Sequence, residues 1–425
     1  MSANNVEYNF REKVMPEFMG AFDCSRVYSK YINTQLLDNV FDANSGQSVA
    51  FKRPTDFVAV ETDDGDLTGK DPSGMIVGNA FGRVQPYITV MVEYRQIEQA
   101  LKLNSLPELL APAGKRMAVQ FELNCARMML KNTSMLSGTV GTPMGSWGAV
   151  GGINATMTSH GVPEDGDWTV AVNPFTEIAL AEGQKSIGAG GSAGKIIKQA
   201  HERAIITDDF AGMRVIKATT QSSYTTGAGA DRAGTLASNP DVTYVGAKDT
   251  FTQILSLSGF ESNLVIKAGE QITVDGRNRL NLATREEIVG AAGQPVQWSG
   301  TVTADVTLSG AGAGNVVVSG PAIYEADGAF NTVSSALSAG DIVTLLGSAS
   351  SKYQPNLFWH KNAFSIGTVA LPKLHAQENI GTTEDGIRIK MTRGSDLIKN
   401  KNMVRFDILP AFAVLNPHLA GHGWG

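Results

Sequence analysis

Three carboxylates close together, Asp63, Asp64 and Asp66, are the first side chains whose type and spacing could do chemistry, because carboxylates bind hard cations. A calcium loop of the EF-hand kind needs alternating oxygen ligands, a central glycine and a closing glutamate, and the run Asp63-Asp64-Gly65-Asp66 does not supply that order. The pattern therefore favours a solvated loop over a metal site, and we predict no cofactor.

The segment from Gly190 to Lys195 is similar in outline to a phosphate-binding loop. Its pattern fails at two positions, since Ala189 stands where the first glycine is needed and Ile196 follows the lysine in place of Ser or Thr. A glycine-rich loop without a phosphate role is the better interpretation.

The six histidines do not form a helical metal-binding pair. His418 and His422 are four residues apart, but they flank Gly421 in what reads as a polar tail with no glutamate beside them. The run Gly190-Gly191-Ser192-Ala193-Gly194 has the spacing of a Gly-x-Ser-x-Gly motif, but no predicted strand leads directly into it, as a nucleophile elbow requires. The sequence thus predicts that this protein is not an enzyme.

The composition restricts the class of protein further. The two cysteines, Cys24 and Cys125, sit in apolar surroundings, which predicts no disulfide framework and a reducing site of folding. We see no secretion signal and no apolar run long enough to cross a bilayer, so we expect a soluble protein made in a cytoplasm. The net charge of −6 argues against strong nucleic-acid binding by the whole chain.

The N-terminal region from Val6 to Ile32 reads as a helix. Phe10, Val14 and Phe18 lie on one apolar stripe, and Pro16 is expected to bend or interrupt the helix. The stripe fits two structures, an ordinary packed helix and an arm that packs on a neighbouring subunit.

A long β excursion is predicted from Gln47 to Tyr94. Ile88, Val90, Val92 and Tyr94 alternate with other residues at the period of a strand, and an acidic tip occupies residues 61–71. An isolated two-stranded hairpin is marginal in water, so this one needs a surface on which to lie.

Two helices should follow. Ser105 and Glu108 form a capping-box signature, Pro112 is expected to end that first short helix, and a longer, largely buried helix is predicted from Ala113 to Met135.

Mixed elements come next. We predict a loop over 138–166, a strand at 168–172, a helix opening at Asn173-Pro174 and ending near Ala181, and one strand over 210–217.

The composition changes near Gln221. From there to about Ser351 the chain is rich in Gly, Ala, Ser, Thr and Val, and no Lys or Arg stands between Arg285 and Lys352. Short strand candidates punctuated by glycine turns indicate a small antiparallel barrel or sandwich that folds alone. The candidates are 264–266, 271–274, 297–298, 302–308, 315–319 and 341–346.

The end of the chain reads as two strands that meet at Pro410. Val404, Phe406 and Ile408 alternate with charged residues, whereas the run 411–415 is nearly all apolar and suits a strand covered on both faces.

Four stretches carry a resemblance to tailed-phage major capsid proteins of the Hong Kong 97 fold. The closer likeness is to the branch typified by short-tailed phages of enteric bacteria, whose coat protein has an inserted β-barrel. The stretches are 172–175, 267–276, 356–364 with 369–372, and the ending 404–418. One departure is Gly269-Glu270, where that branch usually has Gly-Asp.

The resemblance implies an α+β fold with an N-terminal arm, an E-loop hairpin, a peripheral domain with a long spine helix, an axial domain and an inserted all-β barrel. The implied divisions are arm 1–44, E-loop 45–95, peripheral domain 96–137, axial domain 138–220, barrel 221–351 and completion of the axial and peripheral domains over 352–425.

The resemblance also implies a function. The chain would assemble through pentamers and hexamers of itself, with a scaffolding protein and a portal protein, into a procapsid and then an icosahedral head around double-stranded DNA. The DNA would be bound non-specifically, no membrane would be involved, and the protein would reside in the virion after assembly in the bacterial cytoplasm. Contacts between subunits are expected at Phe10, Arg11, Asp63, Asp64, Asp66 and Lys70.

Two questions stay open at this point. The competing function is a secreted or surface glycan-binding β protein that uses Trp298 or Trp359 as a sugar platform, although core packing is the favoured role for both. The barrel could either stabilise the subunit or form contacts between capsomers.

Overall fold

The structure is a computed structural model that describes most of the chain. The chain forms two compact units. The first unit comprises Met1–Val49, Phe81–Ala126 and Phe364–Ala413, and the second comprises Ala50–Ala80, Arg127–Ala363 and Val414–Gly425. The described residues are 5–34, 48–53, 57, 62, 66, 75–95, 106–186, 206, 209–240, 242–326, 328–373, 378–396, 398 and 401–425.

The described helices are few. They are α1 Asn5–Cys24, α2 Leu106–Lys131, α3 Trp147–Ser159, α4 Pro174–Ser186 and the single turn α5 Tyr244–Ala247, with 3₁₀ turns at Tyr28–Tyr31, Lys361–Ala363 and Pro417–Leu419.

Strands supply most of the regular structure. In the first half of the chain they are β1 Ser48–Lys52, β2 Asn79–Val84, β3 Ile88–Arg95, β4 Met135–Ser137, β5 Trp168–Val172, β6 Asp209–Phe210, β7 Met213–Lys217 and β8 Tyr224–Thr225. Next come β9 Ala233–Leu236, β10 Thr252–Ser258, β11 Val265–Ile266, β12 Gln271–Asn278, β13 Gln297–Val302, β14 Val306–Thr307, β15 Gly314–Ser319 and β16 Ile342–Leu345. The last are β17 Lys352–Tyr353, β18 Asn356–His360, β19 Phe364–Thr368, β20 Glu378–Thr382, β21 Arg388–Asp396, β22 Lys401–Ile408, β23 Pro410–Val414 and β24 Ala420–Gly423.

In the first unit, a four-stranded sheet in the order β20-β21-β22-β3 carries the predicted alternating strand near the C-terminus. Val404, Phe406 and Ile408 are buried, and the Phe406 ring stacks on Phe18 of α1 with the ring centroids 3.8 Å apart. Phe22 of the same helix packs against Phe121 of α2. Large apolar side chains therefore hold both helices in the core of this unit, and β22 followed by β23 confirms the predicted pair of strands.

In the second unit, a mixed six-stranded sheet has the order β4-β24-β18-β5-β7-β6. Every residue of β5 and β18 is buried, so both strands are covered on two faces. The helix α4 begins as predicted, because Asn173 caps it by accepting a hydrogen bond from the Thr176 N–H at 2.7 Å.

The β-rich region of the second unit forms a closed antiparallel barrel in the order β10-β15-β13-β12-β16-β9. Its core surrounds the fully buried Trp298 and consists of Leu, Ile, Val and Phe side chains. Of the two predicted forms, a barrel or a sandwich, the structure contains the barrel. Closure leaves this sheet without open edges.

Several predicted boundaries are wrong. The first helix ends at Cys24 and a 3₁₀ turn follows; it is not interrupted at Pro16, and Pro112 does not end the second helix. The helix predicted to begin at Ala113 begins at Leu106 and ends at Lys131. A proline inside a helix costs one hydrogen bond and a steric clash, about 3 kcal/mol, which the burial of several large apolar residues on the same helix offsets.

Other elements also differ from prediction. The predicted loop over 138–166 contains α3, and α4 continues beyond Ala181 to Ser186. The single strand predicted over 210–217 is two strands joined by a tight turn at Ala211 and Gly212, both of which have positive φ angles. The barrel includes β9 and β10, which were not predicted, whereas most of the predicted strand 302–308 lies outside β14.

Candidate functional site

The predicted contact residues lie mostly outside the described structure. Phe10 and Arg11 belong to α1, but their side chains are not among the described ones, and Asp63, Asp64 and Lys70 lie outside the described residues altogether. Asp66 is exposed. The assignment of these residues to subunit contacts stays a prediction.

Within the excursion from 47 to 94, the described residues include large apolar side chains that face solvent. These are Phe57, Met75, Phe81, Tyr87 and Met91, of which Met75 is 75% exposed. Ile88 is buried, and the exposure of the following residues alternates as predicted. Met91 falls on the outer face of that strand. In the sequence, an apolar residue out of phase with the alternation indicated this exposed apolar side chain.

The barrel is attached to the rest of the second unit through Arg279, which is 2% exposed. Its Nη1 donates to the Ser134 carbonyl at 3.0 Å, and its Nη2 donates to the Ser134 hydroxyl at 3.0 Å and to the Ser299 carbonyl at 3.3 Å. One guanidinium thus joins the β13 strand of the barrel to the chain just before β4.

Further hydrogen bonds reinforce this attachment, which we call the barrel anchor and define as Thr133, Ser134, Arg279, Ser299 and Thr301. The Ser299 hydroxyl donates to the Ser134 carbonyl at 2.7 Å, and the hydroxyls of Thr133 and Thr301 are 3.0 Å apart. These groups are buried, so each unmade bond would cost about 1–3 kcal/mol.

Glycine permits a second close approach near the anchor. Gly320 has a φ of +82°, and a Cβ there would lie 2.1 Å from the Ser134 Cβ. The carbonyl of the same residue accepts from the Trp298 indole N–H at 3.1 Å, so the barrel core and the anchor meet at this position.

The loop after β12 covers the end of α3. The Asn281 side-chain amide donates to the Ser159 carbonyl at 2.8 Å, and the Leu282 N–H donates to the His160 carbonyl at 3.0 Å. These carbonyls lie at the C-terminal end of the helix, where groups of that kind lack partners within the helix.

Glu270 lies just before β12 of the barrel. It is fully buried and forms an ion pair with Arg232. The same carboxylate accepts from the N–H groups of Gly227 at 3.0 Å and Lys267 at 2.8 Å. The residue that departs from the usual Gly-Asp pattern therefore ties together the chain before β9 and the turn before β12.

Four histidines are buried in the described part of the second unit, and two of them, His418 and His422, correct the prediction of a polar tail. His418 is 4% exposed and His422 is fully buried, with its Nε2 3.0 Å from the Leu130 carbonyl. Burial lowers the pKa of His422 to about 4 and that of His160 to about 3, and it holds the pKa of His418 well below its usual value. All three imidazoles are therefore neutral near pH 7.

In the first unit, Glu122 of α2 holds the 3₁₀ turn that follows α1. Its carboxylate accepts from the Tyr28 N–H at 2.6 Å and from the Ser29 hydroxyl. Burial raises the pKa of Glu122, although these hydrogen bonds act in the opposite direction. A side chain of α2 thereby fixes the exit of the N-terminal segment.

The proposed sugar platform is wrong. Trp298 and Trp359 are both fully buried, so neither presents a face to a glycan, and core packing is their role. The predicted glycine loop at 190–195 lies outside the described residues.

Among the residues that the structure describes, no three His, Cys, Asp or Glu side chains converge as metal ligands. No helix in the described part of the chain is long and apolar enough to cross a membrane.

Comparisons with known proteins agree along the full length of the chain. The family described as P22 coat protein, gene protein 5, matches residues 1–424. The major capsid protein of Acyrthosiphon pisum secondary endosymbiont phage 1 is 33% identical over 426 residues, which cover 100% of this chain and 99% of that protein.

Solved structures that align with the chain come from Mycobacterium phage Che8 and from the capsid of Cyanophage P-SCSP1u. The first has 10% identity and a TM-score of 0.45, with 93% of this chain and 89% of that chain covered. The second has 11% identity and a TM-score of 0.44, with 93% and 87% covered.

The family match and the full-length relative exclude an enzyme and leave the glycan-binding alternative without support. The chain belongs to the P22 coat protein family and is the major capsid protein of a phage.

Proposed function

We propose that the chain assembles through pentamers and hexamers into an icosahedral head of the Hong Kong 97 type, in which the excursion from 47 to 94 lies across a neighbouring copy. The proposal includes a scaffolding protein and a portal protein as partners during procapsid assembly in the bacterial cytoplasm. It also includes double-stranded DNA, held without sequence preference inside the finished head.

The observation that supports this proposal is the set of exposed apolar side chains along the excursion. Phe57 and Met75 are more than half exposed in the isolated subunit. Large exposed apolar side chains are candidates for a contact, because their burial contributes about 25 cal/mol per Å².

The contact is heterologous, since the excursion of one copy covers a different surface on the next. Heterologous contacts generate rings when the rotation closes, which is the geometry that pentamers and hexamers require. Many modest interfaces acting together then give a stable shell.

Serine substitutions at Phe57 and Met75 test this proposal. The double variant Phe57→Ser/Met75→Ser should keep its circular dichroism and melting temperature but lose shells in negative-stain micrographs, with or without the co-expressed scaffolding protein. Ile178→Ser is a control, because Ile178 is 55% exposed, close to the 53% of Phe57, but belongs to α4. Wild-type numbers of shells from the double variant would refute the proposal.

For the inserted barrel, we favour a role in stabilising the subunit over a role in capsomer contacts. The buried barrel anchor supports this role, because Arg279 and Ser299 of the barrel satisfy the polar groups of Ser134 in the host. The barrel core is also contiguous and closed, so we expect residues 221–351 to fold alone. Dispersed amide signals in the NMR spectrum of that fragment are the expected result, and a collapsed spectrum would reject independent folding.

A further inference from the structure

A cavity of about 240 Å³ lies in the second unit and has no role in the proposed assembly. One side of it is polar and the other is aromatic. Its lining includes Arg53, Arg285, His418, Tyr244, Phe251 and Phe330, and none of the lining residues that the structure describes is Asp or Glu. Such a cavity combines positive charge with an apolar surface.

Arg53 is the main charged group of the cavity and is 6% exposed. Its Nη2 donates to the carbonyls of Asp249 at 3.3 Å and Val414 at 3.2 Å, and its guanidinium carbon lies 4.0 Å from the centre of the Phe251 ring. Its Nε and Nη1 have no hydrogen-bond partner among the described residues. Burial lowers the pKa of Arg53 to about 10, so the side chain is still charged at neutral pH.

Within the described part of the chain, no carboxylate is dedicated to the charge of Arg53. Asp249 is near enough to interact electrostatically, but its oxygens accept from the Lys248 ammonium at 2.8 Å and from the Asn79 N–H at 2.9 Å. A buried charge of this kind is costly unless it is paired. Arg53 therefore favours an anion from outside the described chain.

A second arginine and a histidine complete the polar side. Arg285 has a φ of +59°, which is unfavourable for a residue with a side chain, and its Nη1 donates to the Asn331 carbonyl at 2.9 Å. His418 is 3.2 Å from the Ser134 hydroxyl through Nδ1, whereas its Nε2 has no partner among the described residues.

The aromatic side has a flat, rigid wall. The rings of Tyr244 and Phe330 are stacked with centroids 3.6 Å apart, and Tyr244, Phe251 and Ile323 belong to one buried apolar cluster. A cavity of about 150 Å³ is enough to hold a benzene ring in a protein core. This cavity therefore has room for a planar ring and a carboxylate together.

We infer that the cavity is a binding site for a carboxylate carried on a planar or apolar body. Arginine is the side chain best suited to carboxylates, and the aromatic wall would hold the apolar part. The ligand is either a free aromatic carboxylate or an acidic side chain beside an apolar residue of another polypeptide. The inference does not depend on shell assembly, because it rests on the structure of a single chain.

Calorimetric titration of the unassembled full-length chain with benzoate tests the inference. We expect millimolar or tighter binding, and benzamide, which has the same shape without the charge, should bind about tenfold more weakly. Arg285→Gln should weaken benzoate binding about tenfold, the size expected for one charge-assisted hydrogen bond. Arg116→Gln, which removes an exposed arginine on α2, should leave it unchanged.

Arg53→Lys is the second variant, because it keeps the charge and the stem while removing the planar group. It should weaken benzoate more than Arg285→Gln does. Equal binding of benzamide and benzoate, or unchanged affinity in Arg285→Gln, would overturn the inference, as would no benzoate binding up to about 10 mM.

Assembled shells distinguish the two sources of the carboxylate. If a neighbouring copy supplies it, benzoate binding should disappear in shells and benzoate should slow their assembly. If the ligand is free, shells should bind benzoate with the affinity of the unassembled chain. Both results support a carboxylate site, and neither bears on whether the excursion from 47 to 94 forms the subunit contact.

Discussion

Acidification should weaken this protein through its buried histidines, and His422 offers the clearest measurement. Its imidazole is fully buried, its Nε2 lies 3.0 Å from the Leu130 carbonyl, and burial lowers its pKa from 6.5 to about 4. Between these values the unfolded chain binds a proton that the folded chain does not. Stability is therefore greatest above pH 6.5 and is lost as the pH falls towards 4.

The magnitude follows from the two pKa values of His422. Each unit of difference corresponds to about 1.4 kcal/mol, so the folded state should lose about 2.5 kcal/mol between pH 7.5 and 4.5 through this one residue. Over most of this range His422 is neutral in the folded chain and protonated in the unfolded chain, so no ion pair is involved and added salt should change the loss little.

The matched variant is His422→Gln, in which the amide nitrogen can still donate to Leu130 but cannot be protonated. Urea denaturation followed by tryptophan fluorescence from pH 7.5 to 4.5 gives the free energy of unfolding of both proteins. The wild-type chain should lose about 2.5 kcal/mol more than the variant over this range. Acid-titrating carboxylates are common to both proteins, so they cancel in the comparison.

Parallel curves for the two proteins would refute this reasoning, because they would mean that His422 is protonated equally in the folded and unfolded states. A steeper loss in the variant would refute it as well. His160, whose pKa burial lowers to about 3, provides an independent repeat with His160→Gln.

Three further predictions concern stability. Gly227→Ala should abolish folding of the barrel, because a Cβ there would lie 1.6 Å from the Val265 carbonyl oxygen, and loss of the cooperative urea transition would be the evidence. Asp341→Asn should cost about 2–3 kcal/mol in urea denaturation, because Arg277 donates two hydrogen bonds of 2.7 Å to that carboxylate. Arg277 also lowers the pKa of Asp341, so this contribution is present above the usual pKa of an aspartate and is lost as the pH falls below it. Gly20→Ala should raise the free energy of unfolding by about 0.5–1 kcal/mol, because the exposed helical glycine has open space around its Cβ position. The melting temperature should rise slightly, and a lower melting temperature would contradict the prediction.

Patterns that depend only on neighbouring residues were readable from the sequence. The paired strands at the C-terminus, the cap at Asn173 and the β-rich character of 221–351 were all predicted, and the structure contains each of them. These features are local because strand alternation and helix capping involve residues only a few positions apart.

Features that depend on distant residues were not readable. His418 and His422 were predicted to lie in a polar tail, but both are buried: His422 lies in β24, which runs between β4 and β18, and His418 lies in the 3₁₀ turn just before it. Pro16 was expected to bend or interrupt its helix, but α1 continues past it, and Phe18 of that helix stacks on the distant Phe406.

The difference between what the sequence and the tertiary structure determine is clearest at the barrel anchor and at the cavity. The sequence alone determined the family resemblance and the β-rich character of 221–351, and it predicts that the long excursion needs an external surface. Only the tertiary structure decided that Arg279 joins the barrel to Ser134 and that Arg53, Arg285 and His418 share one cavity. The physical reason is that burial and charge pairing are set by residues more than a hundred positions apart, and no short-range pattern records which of them meet.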